Sequence, residues 1–235
     1  YEVAAPLLRT SGVRATMFIC SGFLDGVASA WWDEIAWILR HSERSQLPPG
    51  PWCEQSLPLD DRALEHTIDT VTRAYWRVRT SEGQQFLDSL ALAAAAARRP
   101  PQADSADWIT WNMARALRAD GHEIGAHSVT HPVLSRMPCE QQRSEVEQSL
   151  DRIEAEIGLR PRALAYPVGM QDSFDANTRA VAAKAGVELA FSNYGGAVSA
   201  QRFSALDVPR VAVETLRSRA LFDATLTLPW MFARP

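Results

Sequence analysis

Residues 121–132 read Gly121-His122-Glu123-Ile124-Gly125-Ala126-His127-Ser128-Val129-Thr130-His131-Pro132, and the fold is read outward from them. Residues 122–126 have the short apolar character of a buried strand, and Ala119-Asp120-Gly121 closes a helical pattern before it. His127 and His131 follow four residues apart, just past the strand's C-terminal end, where α/β folds place their sites. A helical turn after Ala126 would put both imidazoles on one face, close enough to share a cation. Neutral imidazole suits Zn²⁺ and similar borderline metals. Two ligands do not complete a site, so a third must come from elsewhere in the fold, with water in the remaining position. Five histidines in 235 residues give about 0.1 such pairs by chance, so the place after a strand counts for more than the spacing. The competing reading is a structural pair. His122 lies outside the spacing and is expected to be a hydrogen-bonded structural residue.

Strand and helix alternate on both sides of this stretch. Residues 1–11 read as a helix closed at Gly12, residues 14–20 as a buried strand, and residues 21–26 as turn material. After the pair, residues 140–157 form an amphipathic helix ending at Gly158, and residues 163–166 a short strand. A helix over 173–185, a strand over 187–192, a late strand over 208–213 and a helical turn over 216–221 complete the pattern. Upstream, residues 107–120 read as a helix with Asp107 as its N-cap. Alternation at this length favours parallel pairing.

The region from about 25 to 100 reads differently. Helices are expected over 31–41, 60–79 and 82–99, with a loop over 42–58 that carries four prolines. Three helices without a strand between them indicate a helical insertion on a sheet or barrel. Sugars stack on indoles, which gives Trp31, Trp32, Trp37 and Trp76 a possible place in a substrate surface, but aromatic stripes are more often core.

A net charge of −4, without a long run of either sign, argues against a nucleic-acid surface or a polybasic membrane surface. No apolar stretch reaches the ~18 residues of a bilayer span, so no transmembrane segment is expected. Cys20, Cys53 and Cys139 form neither a disulfide framework nor a zinc ribbon, and Cys20 belongs to a buried run. The chain opens on Tyr1 inside a helical pattern, which reads as a fragment. A cytoplasmic and an envelope location both stay open, because a signal peptide cannot be judged from such an opening.

The stretch 121–132 resembles the second motif of the NodB-homology polysaccharide deacetylases, carbohydrate esterase family 4. Three further stretches match in order: Ala15-Thr16-Met17-Phe18-Ile19 the family's second strand, Ala165-Tyr166-Pro167-Val168-Gly169 its third motif, and Val208-Pro209-Arg210-Val211 its late strand. The resemblance implies a distorted (β/α) barrel of about seven strands with the helical insertion at about 25–100. Its first strand would lie upstream of Tyr1. It also implies a metal-dependent hydrolase that removes N-acetyl groups from an envelope or capsule polysaccharide. The cofactor would be a divalent metal, zinc first and cobalt or nickel next, on His127 and His131. The partner would be an N-acetylated polysaccharide or oligosaccharide, with Tyr166, Pro167 and Val168 along the substrate groove and the Val168 N–H aimed at the oxyanion.

The departures from the family pattern are specific. The Asp-Asp pair that supplies the third ligand and the general base has no counterpart in this sequence, and Asp25, Asp60 and Asp61 lack its context. The 235-residue chain alone is therefore expected to be inactive. The arginine expected two residues before Pro167 is Ala165, and Arg210 is the candidate catalytic cation in its place, with Asp172 or the missing aspartates as its partner. The late Leu-His motif is absent, so the general acid is unidentified. The alternative reading is a catalytically inactive carbohydrate-binding relic of the same fold.

Overall fold

The computed structural model describes the chain except for residues 101–107, 197, 199–202, 214–217, 229–230 and 232–235. The chain divides into two compact units, Tyr1–Leu24 with Ile109–Pro235, and Asp25–Trp108.

The first unit is built on a parallel sheet of β1 (Thr16–Ile19), β4 (Glu123–Ala126), β5 (Ala163–Ala165) and β6 (Leu189–Phe191), in that spatial order. Register runs Phe18 to Gly125 and Ile19 to Ala126, then Ala126 to Leu164, then Ala165 to Phe191. All four strands therefore end at one edge, and His127 follows directly from it. Among the described residues the sheet does not close into a barrel. The expected late strand over 208–213 shrinks to one bridge between Phe191 and Val208. Val208 N–H donates to Ala190 O and the Val208 carbonyl accepts from Ser192 N–H, while the next acceptor in that register, Ser192 O, is taken by the Arg210 side chain.

Among the described residues six α-helices belong to this unit: α1 (Ala4–Ser11), α2 (Ser21–Leu24), α6 (Trp111–Ala119), α7 (Cys139–Ile157), α8 (Ala176–Lys184) and α9 (Arg219–Thr227). Residues 21–24 are a helical turn rather than the open turn expected. The Thr110 hydroxyl, accepting from Met113 N–H, caps α6, while Asp107 lies outside the described residues. The aspartate cap falls instead on α8, where Asp175 and Thr178 form a capping box. Val146, Leu150 and Ile153 lie at helical spacing on α7 and are fully buried with Leu164, Ala182 and Ala190 in the core.

The second unit holds α3 (Trp31–Arg40), the two-residue strands β2 (Gln46–Leu47) and β3 (Leu57–Pro58), α4 (Leu64–Tyr75) and α5 (Gly83–Ala94). Trp31 is buried and stacks on Tyr75 at 4.5 Å, with Trp32 edge-on to both Trp31 and Trp108. This cluster is packing. The third helix stops at Ala94 instead of reaching residue 99, with Ala95 in the left-handed region. Beyond it Arg98 turns back to bind Glu34, Asp88 and Gln84. Glu34 is a buried carboxylate, and a buried charge needs its partner more than the helix needs another turn.

Leu150→Ala is expected to cost about 2–5 kcal/mol in denaturant unfolding, the range for emptying a fully packed leucine site. Leu92, 81% exposed, should tolerate the same change within about 0.5 kcal/mol.

Candidate functional site

Beyond β4 the backbone does not turn helically. Ser128 and His131 have φ of +65° and +58°, a left-handed conformation that non-glycine residues seldom adopt. Between them the chain doubles back, and the two rings meet edge-on with centroids 4.8 Å apart at 82°. The four-residue spacing does bring the imidazoles together, by a turned loop and not by a helix face.

Hydrogen bonds hold this loop from several directions. His127 N–H donates to Ile19 O at 2.9 Å, continuing the β1–β4 ladder by one residue. The first N–H groups of α2 reach back: Ser21 donates to Ser128 O at 3.2 Å and Gly22 to Val129 O at 3.0 Å. The Cys20 thiol donates to His127 O at 3.1 Å, and burial pushes that thiol's pKa upward. Inside the loop the buried Ser128 hydroxyl accepts from His131 N–H at 3.0 Å. Glu145, reaching over from α7, accepts from Val129 N–H and Thr130 N–H, both at 2.9 Å, and from the Thr130 hydroxyl at 2.7 Å.

The imidazole chemistry follows from the same geometry. His127 Nδ1 lies 2.7 Å from Ala165 O. A carbonyl can only accept, so Nδ1 carries the proton and Nε2 presents a lone pair. Metal-ligating histidines are oriented by this kind of second bond. Burial, reinforced by the Arg210 charge, pushes the His127 pKa down to about 4. Burial and the neighbouring His127 push His131 well below the usual histidine value. Both rings are therefore neutral near pH 7, the form a divalent cation takes. As a donor set the pair fits a metal as two of its ligands. Among the described residues no third histidine, cysteine, aspartate or glutamate completes the group.

The third-motif stretch crosses the same edge. Tyr166 is fully buried, stacks on Phe174 at 4.1 Å and donates its hydroxyl to Leu206 O at 2.8 Å. Its ring is core, so what it offers a ligand is the placing of the Pro167-Val168 backbone. Val168 has φ of +62°, a strained position for a β-branched residue. Among the described residues nothing accepts from its N–H. Gly169 follows at φ +70°, where a Cβ would come within 2.8 Å of Asn193 N, and Asn193 N–H donates to Gly169 O at 2.7 Å.

Arg210 stands in the extended segment after Pro209. Its Nε donates to Ser192 O at 3.0 Å, and its guanidinium lies 5.6 Å from the centre of the Phe18 ring. The side chain thus takes a carbonyl that a continued strand would have used. Asp172, one expected partner, is engaged by Arg136 at 3.0 Å. His122 is the structural residue expected, buried with its Nδ1 accepting from Ala15 N–H at 3.2 Å. Glu145 and the Ala165 carbonyl stand outside the pattern legible in the sequence, and Cys20 is buried as expected. A glutamate on an amphipathic helix carries no local signal, and a backbone carbonyl carries none at all.

The model of the polysaccharide deacetylase family matches residues 63–190, more than half of the chain. The chain belongs to the polysaccharide deacetylase family. Among curated proteins the uncharacterized YlxY of Bacillus subtilis (strain 168) is 34% identical over 65 residues, covering 27% of this chain and 20% of that protein. The Streptococcus pyogenes deacetylase PplD in complex with acetate superposes with a TM-score of 0.53 at 16% identity, over 90% of this chain and 57% of that one. The deacetylase domain of BpsB from Bordetella bronchiseptica gives 0.53 at 13% identity, over 89% and 65%. A de-N-acetylase from Aggregatibacter actinomycetemcomitans gives 0.50 at 14%, over 95% and 69%. At such identities the likeness is one of fold. The chain spans under two thirds of the length of the first two solved structures and a fifth of the curated relative.

Two outcomes are expected from this geometry. Gly169→Ala should destabilise the protein by about 1–3 kcal/mol, whereas Val168→Gly should stay within about 1 kcal/mol of wild type, because relieved strain offsets added chain entropy. In the metal-free protein, stability should be constant above pH 6.5 and fall as pH drops toward about 4, because the unfolded histidines bind protons that the folded ones refuse. Since the ring edges are partly exposed, a loss of order 1–3 kcal/mol is expected in chemical denaturation across that window.

Proposed function

We propose that this protein removes N-acetyl groups from the sugars of an envelope or capsule polysaccharide, with a divalent metal, zinc first and cobalt or nickel next, held by His127 and His131. The observation that carries this reading is the pair of neutral imidazoles meeting at the strand edge, with the His127 tautomer set by Ala165 O. A divalent cation, when bound, polarises an amide carbonyl and acidifies a water. The chain's own residues do the rest. The Val168 N–H, held by strained backbone beside Gly169, donates to the carbonyl oxygen as its negative charge grows. Pro167 and Val168 form the wall along which the sugar lies, on the footing that Tyr166 provides. Arg210 places a cation near His127, close enough to depress that ring's pKa, and is assigned the role of holding the carboxylate base ionised and oriented.

One observation favours the alternative of an inactive carbohydrate-binding relic: the described residues supply only two ligands. The two readings separate on acetate release from an N-acetylglucosamine oligomer. The 235-residue chain alone is expected to be slower than a family member carrying the Asp-Asp pair by about 10²–10⁴-fold, the usual loss on removing a general base. Enzyme-like turnover by this chain would place the base within it.

Metal analysis after dialysis should find about one equivalent in wild type and a strong reduction in His127→Ala; equal content in a His127→Ala, His131→Ala double variant would refute the metal site. In a form that turns over, Arg210→Lys should lower kcat more than stability and move the acidic limb of the pH–rate profile upward. Unchanged kinetics would remove Arg210 from the site.

A further inference from the structure

We infer that Glu145, on α7, is the positioning residue that holds His127 and His131 in the edge-on arrangement a shared cation needs. The proposal rests on the metal reading above. Ser128 and His131, at either end of the doubled-back segment, both occupy left-handed backbone, which is unfavourable without outside support. The residues between them, Val129 and Thr130, expose two successive N–H groups that the loop itself does not satisfy. One carboxylate oxygen of Glu145 takes both at 2.9 Å, and the other takes the Thr130 hydroxyl at 2.7 Å. From the opposite side, α2 donates to the carbonyls of Ser128 and Val129. The loop's donors thus go to Glu145 and two of its acceptors to α2, fixing its peptide planes in both senses. An ionised carboxylate accepting backbone N–H groups makes a stronger bond than a neutral acceptor.

Glu145 also ties the loop to a helix anchored in the buried core. Val146, its neighbour on α7, is fully buried in the core with Leu150 and Ile153. Ligands fixed by such outer partners keep their geometry, and loss of a partner typically weakens metal binding about 10–100-fold.

The test uses the full chain, with Co²⁺ as the probe, following its visible d–d bands and its dissociation constant. Glu145→Ala is expected to bind Co²⁺ about 10–100-fold more weakly than wild type. Glu145→Gln should restore most of that, since its amide oxygen can accept both N–H groups while its NH₂ donates to the Thr130 hydroxyl. Thr130→Val, at an exposed position that cannot endanger folding, removes one of the three bonds and should give a smaller loss. Val146→Ala is the stability control: it should lower Tm and leave the affinity unchanged. Wild-type affinity in Glu145→Ala, or an equal loss in Val146→Ala, overturns the proposal. If wild type takes up no cobalt, the metal reading fails separately, and the positioning claim is judged on the ring-to-ring nuclear Overhauser contact of the metal-free protein. Its loss in Glu145→Ala but not in Val146→Ala sustains the claim, and its persistence in Glu145→Ala ends it.

Discussion

The hydrogen bond from His127 Nδ1–H to the Ala165 carbonyl joins the end of β4 to the end of β5, and the candidate site depends on it. It fixes the tautomer, turns Nε2 outward, and holds His127 where His131 can meet it. The bond exists because the two strands are in register at Ala126 and Leu164, so the residue after one strand faces the last residue of the other. Side-chain identity at position 165 is irrelevant to it. The family's arginine can become alanine here while the backbone group at the same position keeps its task.

Conformational strain gathers at this one edge. Of the four non-glycine residues with positive φ among those described, Ser128, His131 and Val168 lie in the two loops that cross it. Each such position costs of order 1–3 kcal/mol and persists only where surrounding structure insists on it. Glu145, α2 and the ladder from Ile19 supply that insistence for the histidine loop. For Val168 the constraint is Gly169, whose backbone lies so close to Asn193 that no side chain fits. Strain concentrated away from the helices and the core is consistent with a site built for a ligand rather than for stability.

Arg210 illustrates how a side chain can take a carbonyl that the ladder would have used next. The ladder from β6 reaches Val208, and the Arg210 guanidinium takes the next acceptor in that register, the Ser192 carbonyl, while lying over Phe18. These contacts bring a cation within electrostatic reach of His127.

Much of the fold was legible in the sequence, because periodicity and helix punctuation are local. The helices over 4–11, 139–157 and 31–40 and the strands over 16–19, 123–126 and 163–165 were readable from apolar spacing and from where glycine or proline interrupts it. The two histidines were legible as a pair because their spacing follows a strand end. What the sequence could not determine was how the pair is brought together, since left-handed backbone at Ser128 and His131 is stabilised by Glu145 and α2, which lie outside the segment. The short α5 was also a tertiary outcome, because the buried Glu34 recruits Arg98 from the residues that would have extended it. That the last strand shrinks to one bridge was also a tertiary outcome, because the Arg210 side chain takes the Ser192 carbonyl that stands next in the register. Spacing along a chain is local information. The partners that satisfy a strained loop or a buried charge are set by packing.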